Sequence, residues 1–527
     1  MAVQRNVTVG WPRRVASRLR ALAADNKLFT WALAGGALLR LLTVAGYPGA
    51  LWFAGDSYVY LGAALRPQPN SSKSTGYSFF LRALLPFHSL TLVTVVQHLM
   101  GLAIAVMIYA LLRHYRVSRL WSTVAALPVL FDGYMIEIEH LIMAESLFMF
   151  LLMAALILLL WWRQVPWWAA LAAGLLAGYA VDVRTEGAVV LVLFPLFLII
   201  RGWRSLRGWA AAVLMAIGCV IPVAAYASWF HHRTGQYGMT LSTGFYLWGR
   251  VSSFADCAVI KPTGAQAVVC PAEPLSARTP PGNWVWHAPP FHGVTHNPIG
   301  SPVNAANNKL LTDFAIHAIE AQPFDYAKTV FFDTMLSFGF PRIAYPGSGT
   351  VYYYDFHLHY KGSKHSLLPP DNHSWVPGGT AYSDWLSYGH QAPGHVITVF
   401  AAPVLIYQRL VFTYGPLFAL ILAMGLGGVL ALRRPLRSPR QLRELRLRPF
   451  PLKWQLRGTP LLPWITAIAL LVVPIAVADF DYRYLLPVLP FACLAAGLSF
   501  APPRAVREPR QPAPAGHIET TVPDSVA

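Results

Sequence analysis

The chain has 527 residues, 55% of them hydrophobic and 12% charged, with a formal net charge of +18. So many long apolar runs exclude a soluble globular protein and leave a polytopic membrane protein. The basic balance does not argue for nucleic acid, because 25 of the 41 Lys and Arg fall in six stretches flanking apolar runs, where they set topology and meet anionic headgroups.

In chain order, the segment 1–27 is basic and is expected in the cytoplasm. The run 28–46 is too long for a signal-peptide core and contains Arg40, so it reads as a retained span whose arginine faces the bundle interior and meets an acid. The outer loop 47–90 holds Asp56 and Lys73. Within it, the spacing of Tyr58, Leu61 and Leu65, and of Phe79, Leu81, Leu84 and Leu85, predicts short amphipathic helices on the membrane surface. Spans near 91–112, 120–136, 141–162, 166–181, 187–201 and 210–230 complete a module at 28–230 of about seven spans.

Residues 231–395 form a large outer domain rich in Pro, Gly, Asn, His and aromatics, expected to be of mixed structure, with a helical stretch broken at Pro323. The apolar segment 396–408 is short enough to be an interfacial or partial span. Spans near 411–432, 460–478 and 484–501 enclose the basic loop 433–459, and the tail 502–527 is polar, Pro-rich and expected to be disordered. The fold class is an all-α polytopic membrane protein of about ten or eleven transmembrane helices. It shows no internal repeat and no broken-helix pair of the kind common in transporters.

Of the 23 Asp and Glu, only Asp25, Glu444, Glu508, Glu519 and Asp524 share the side of the basic stretches. Loops rich in Lys and Arg stay in the cytoplasm. Both termini are therefore expected there, at the plasma membrane, with the remaining acids outside. Asp56 reads equally as a general base and as the cap of the following helix. Glu145 opens an apolar helix running inward, where an unpaired carboxylate is costly, so it should meet a cation or a substrate. Glu139, His140 and Tyr58 are candidate contacts to a substrate on the same side. Lys73, Arg184 and Arg483, from distant parts of the chain but at one depth, suit a lipid phosphate. For Arg184 and Arg483, salt bridges to Asp182 or Glu186 and to Asp479 or Asp481 are the plain alternative.

Cys257 and Cys270, thirteen apart in the outer domain, are expected to form a disulfide, and Cys219 and Cys493 to be core residues. The Asp-x-Asp of DFDYR and the scattered His287, His292, His296, His357, His359 and His373 do not make a metal site. Asn70 and Asn372 lie in glycosylation sequons. Nucleotide-binding and serine-nucleophile motifs are absent from the sequence, so no cofactor is expected, and a divalent metal is possible without being required.

The ordered set of Asp56 in GDSYVYL, Lys73 in SKSTGYSFFLRALL, Glu145 in MAESLFMFLL, Arg184 to Gly187 (Arg-Thr-Glu-Gly) and Arg483 to Pro487 (Arg-Tyr-Leu-Leu-Pro) resembles the GT-C superfamily of polytopic glycosyltransferases. The likeness is to the branch of protein O-mannosyltransferases and lipid A aminoarabinose transferases. It covers 28 to about 230 and 460–501, and the outer domain has the length and Cys pair of actinobacterial members. The sequence departs from protein mannosyltransferases at Ser57, where they carry a second acid, and from the aminoarabinose branch in having Glu at 145. The resemblance implies sugar transfer from a polyprenyl phosphate to a cell-envelope glycan, a glycolipid or a protein, with inversion. In that chemistry Asp56 is the base, Glu145 an orienting acid, and Lys73, Arg483 and Arg184 the phosphate ligands. Two other readings stand beside it, a transporter or flippase for a lipid-linked substrate and a scaffold whose outer domain binds a partner.

Overall fold

The structure is a computed structural model that describes residues 23–53, 55–288, 303–360, 367, 373–389, 394–430 and 458–502. Most of the basic amino-terminal segment and of the basic loop 433–459, nearly all of the tail, His292, His296 and Asn372 lie outside the described residues. The helices that matter here begin with α1 (Lys27–Gly46), α2 (Asp56–Leu65), α3 (Gly76–Leu84) and α4 (Leu90–His114). They continue with α5 (Arg119–Phe131), α6 (Gly133–His140), α7 (Glu145–Trp161), α8 (Trp167–Val183), α9 (Val190–Gly202) and α10 (Leu206–Thr234). The outer domain adds α11 (Thr243–Ser252), α12 (Ala305–Ala321), α13 (Pro323–Met335) and α14 (Ala381–Gly389). The chain closes with α15 (Thr398–Leu410), α16 (Gly415–Val429), α17 (Gly458–Val477) and α18 (Leu485–Ser499).

Among the described residues, six helical stretches are long and apolar enough to cross a membrane, seven if α15 and α16 count as one bent span, and α5, α7 and α8 are shorter apolar helices. The starts follow local chemistry. Ser89, Ser118 and Ser205 cap α4, α5 and α10 with side-chain oxygens that accept backbone N–H groups.

Four expectations are corrected. The run read as one span at 120–136 breaks at Asp132, whose carboxylate accepts from the N–H groups of Tyr134 and Met135 and so starts α6. The next span begins at Glu145 rather than 141, because Leu51 N donates to the His140 carbonyl and Ile142 N donates to the Leu51 carbonyl, which bridges Leu141 to Leu51 as extended backbone. The outer domain is helix and loop, with only isolated bridges among the described residues, rather than mixed. Finally, one helix pair is broken: α15 and α16 meet at 61°.

Small residues let α8 and α10 approach closely. A Cβ on Gly174 would stand 2.3 Å from the Met215 carbonyl oxygen, and one on Gly178 2.4 Å from that of Cys219. Arg40 meets an acid as expected. Its Nε and Nη2 donate to the two oxygens of Glu139 at 2.7 and 2.8 Å, and its Nη1 and Nη2 also reach the Leu130 and Val129 carbonyls. Cys219 and Cys493 are buried. In the outer domain a second core forms around Phe230, Phe245, Trp248, Leu311 and Phe314, and Cys257 is disulfide-bonded to Cys270. This domain is tied to the loop before α3 by hydrogen bonds from Leu241 N to the Ser71 carbonyl and from Ser242 Oγ to that of Ser72.

Candidate active site

Asp56 opens α2 after Gly55, which takes a left-handed φ of 77° that a residue with a Cβ rarely adopts. Ser57, buried behind it, accepts from Phe53 N and donates to the Ile142 carbonyl at 2.9 Å. This hydroxyl, where the resemblance leads one to expect a second acid, therefore anchors the Asp56 turn to the segment leading into α7. Lys73 is presented by a turn in which the Asn70 side-chain oxygen accepts from the N–H groups of Ser72 and Lys73.

The two meet. Lys73 Nζ lies 3.0 Å from Asp56 Oδ1, and Arg483 Nη1, at the start of the last span, donates to Asp56 Oδ2 at 2.8 Å. Arg483 Nε also stands 3.2 Å from Asp481, which accepts at 2.8 Å from the hydroxyl of Tyr354 in the outer domain. A second group lies alongside. Arg184 is ion-paired with Glu145, which is fully buried, and lies 3.2 Å from Glu186. Both guanidinium groups face one ring, Tyr484, at 5.3 Å for Arg483 and 5.8 Å for Arg184.

The electrostatics follow from this packing. Burial would raise the Asp56 carboxyl, but the charges of Lys73 and Arg483 outweigh it and hold the group down at about 2. Burial works against the Lys73 ammonium, and the Asp56 carboxylate beside it reverses that, so the lysine keeps its proton more tightly than usual. Asp481, in contrast, is raised by burial against the pull of Arg483. Three cations thus face four carboxylates. The Asp56, Lys73 and Arg483 side chains keep 14%, 21% and 13% exposure, so the cluster is sheltered but open. One acceptor is unused, since Glu145 Oε2 is buried with no hydrogen-bond partner. Such an arrangement suits an anionic group held by the cations and a hydroxyl received by a carboxylate.

The sequence-predicted residues divide. Asp56, Lys73 and Arg483 converge, with Glu145 and Arg184 next to them. Glu139 and His140 do not join them, a correction explained by their burial. Glu139 is taken up by Arg40 and by His98 Nδ1 at 2.8 Å; His98 Nε2 is 3.0 Å from His140 Nδ1; and His140 Nε2 donates to the Tyr47 carbonyl. Tyr58 is 2% exposed, with its ring between those of Trp52 and Trp375. Sequence reasoning missed Tyr484, although its place directly after Arg483 was a signal; the donation from Tyr354, far off in the outer domain, to Asp481 gave none. Among the described residues, no group of three or more His, Cys, Asp or Glu side chains is arranged to hold a metal.

Residues 83–234 match the family model of dolichyl-phosphate-mannose-protein mannosyltransferase. Comparison with curated proteins and with solved structures gives no match. The matched segment is less than a third of the chain, and it is similar to a family of membrane glycosyltransferases that use a lipid-phosphate sugar donor. The matched segment contains α4 to α10, with Glu145 and Arg184, while Asp56, Lys73 and Arg483 lie outside it.

Proposed function

We propose that the protein moves a sugar, mannose by the description of the matching family, from a polyprenyl phosphate to an acceptor hydroxyl outside the plasma membrane. Both termini lie in the cytoplasm in this reading, with 28–230 as the transmembrane catalytic module and 231–395 as an extracytoplasmic domain. The observation that carries it is the Asp56 carboxylate held at hydrogen-bond distance by both Lys73 and Arg483.

The donor phosphate competes with Asp56 for those two cations. As it takes them, the carboxylate loses the charges that hold it at about 2 and becomes a stronger base. The acceptor oxygen attacks the anomeric carbon, its proton passes to Asp56, and the bond from that carbon to the phosphate oxygen breaks. The electron pair leaves with the lipid phosphate, stabilised by Lys73 and Arg483, so no acid is needed on that side. The charge that develops on the sugar is oxocarbenium-like, and attack opposite the leaving group inverts the anomeric centre. Glu145, fixed by Arg184, offers its free Oε2 to a donor or acceptor hydroxyl.

Among the described residues, the break between α15 and α16 favours a transporter or flippase. Two of its backbone groups are already taken, by Asp132 accepting from Thr413 N and by the Val411 carbonyl accepting from Gly133 N. Transfer is therefore the better reading. Purified protein in detergent, given labelled polyprenyl-phosphate mannose and envelope acceptors, is expected to transfer the sugar, and Asp56→Asn to lose at least about a hundredfold of that rate while remaining folded. A folded Asp56→Asn variant with normal transfer refutes the assignment.

A further inference from the structure

The outer domain carries one helix whose polarity is inverted. α13 turns Tyr326, Asp333 and Thr334 toward the protein, where the Tyr326 hydroxyl donates to the Ala476 carbonyl at 3.0 Å and Asp333 pairs with the buried Arg250 at 2.6 Å. Its other face, at the three- and four-residue spacing of one helical stripe, holds Phe324, Phe331, Phe332 and Met335. These are 87%, 57%, 57% and 40% exposed. A helix with water on that side would have the two faces exchanged. So long a run of exposed rings marks a surface that something apolar covers.

The place of α13 identifies the cover. α16 and α17 pack together and are joined through 431–457, so Gly415 at the start of one and Val477 at the end of the other share a side. α13, roughly 20 Å long for its 13 residues, runs between these two ends. Tyr326 ties it to the last turn of α17, and just beyond it the Phe338 ring stacks on Phe418 of α16 at 5.8 Å. A Cβ on Gly415 would stand 2.2 Å from the Gly339 carbonyl oxygen, so the backbones touch at that end. The exposed face continues through Phe340, stacked on Tyr414, to the exposed Leu417 and Leu420 of α16. Apolar side chains on the open side of a membrane-crossing helix meet hydrocarbon, and the α13 stripe is continuous with them. Lys328 sits inside the stripe, one turn from Phe324 and Phe332, exposed and in no ion pair among the described residues. Asp325, the acid beside it, accepts instead from Gln322 Nε2 at 3.0 Å. A lysine on an apolar face lays its four-carbon stem along the hydrocarbon and raises its ammonium to the lipid phosphates.

We infer that α13 is an interfacial helix, seated in the leaflet on that side (the outer one in the topology proposed above) with Phe324, Phe331, Phe332 and Met335 in the acyl region. The outer domain then rests on the bilayer as well as on the spans. Nothing in this placement depends on the Asp56 cluster or on sugar transfer.

The test uses the full chain in phospholipid nanodiscs, with a nitroxide on one cysteine introduced by Phe331→Cys, by Phe332→Cys or, as a solvent control in the outer domain, by Val268→Cys. The native cysteines are buried or disulfide-bonded and stay unlabelled, and Val268 is exposed. Collision rates with oxygen and with a water-soluble nickel chelate give the depth of each label. Labels at 331 and 332 are expected about 5–10 Å into the headgroup and acyl boundary, favouring oxygen, with the label at 268 favouring nickel. The unsubstituted protein gives a second reading, because a phospholipid with a photoreactive acyl chain should attach to the α13 peptide and not to residues 265–268. Labels at 331 and 332 that favour nickel overturn the placement. So do labels shielded from both reagents, as contact with a second copy or another protein would leave them, and so does an α13 peptide free of lipid.

Discussion

Asp56 waits between two cations, and that state has a signature in pH. Its carboxyl is displaced from 3.8 to about 2, so the stabilisation it gives the folded protein is complete above its unfolded value and is lost as pH falls through about 2. For catalysis, kcat/KM for the donor reports the free enzyme and should show no acidic limb from Asp56 above about pH 4. The kcat profile reports the loaded enzyme, in which the phosphate has drawn the cations away, and its acidic limb should lie higher. Transfer rates between pH 4 and 8 measure both, and coincident limbs would contradict the exchange of partners.

A second residue-scale test concerns Glu139. Glu139→Gln leaves Arg40 buried without its ionised partner and should cost about 3–5 kcal/mol, read as a lower melting temperature in detergent. Gly101→Ala should act in the same direction, by about 1–3 kcal/mol, because its Cβ would overlap Glu139 Oε1 at 1.8 Å.

Among the elements, α8 and α10 depend on glycine. Gly178→Leu places a branched side chain against the Cys219 carbonyl and the Pro222 ring, and should separate the two helices at a cost of about 1–3 kcal/mol or more. The loss should appear as increased proteolysis of the loop between α9 and α10, and an unchanged cleavage pattern would show that the helices repack.

Helix placement was largely legible in the sequence because span length, apolar runs and the side taken by basic residues are local properties. The end of α5 was not. The residues on both sides of Asp132 and Gly133 are apolar, and only the capping geometry marks the stop. Partners were legible only in part. That Arg40 would meet an acid followed from its place in a span, but which acid depended on how α1, α4 and α6 pack. The pairing of Arg184 with Glu145 over 39 positions, and the approach of Trp375 to Gly55, exist only once the helices have assembled.

Across the whole molecule, the outer domain is pinned at several points rather than tethered by a linker. Arg250, fully buried on α11, donates to the Ile475 carbonyl of α17 at 3.4 Å, and Asp479 just past the end of α17 accepts from Gly282 N and the Tyr345 hydroxyl. The disulfide is one more constraint. Replacing Cys257 and Cys270 by Ser should cost about 2–3 kcal/mol in unfolding of the outer domain, measured by a chemical-denaturation midpoint, with the Asp56 cluster left intact.

The ion pair between Asp56 and Arg483 also joins positions 427 residues apart, and so carries information about time. At ordinary rates of synthesis, roughly half a minute separates the emergence of the carboxylate from that of its guanidinium. During that interval the chain already has most of its spans, yet Asp56 has only Lys73 beside it and Tyr484 has not arrived to link the two basic groups. In the proposed mechanism, a ribosome that stalls before Arg483 therefore leaves behind an inserted protein that lacks one of the two cations meant for the donor phosphate. Arrival of that arginine is the step that would arm the proposed site.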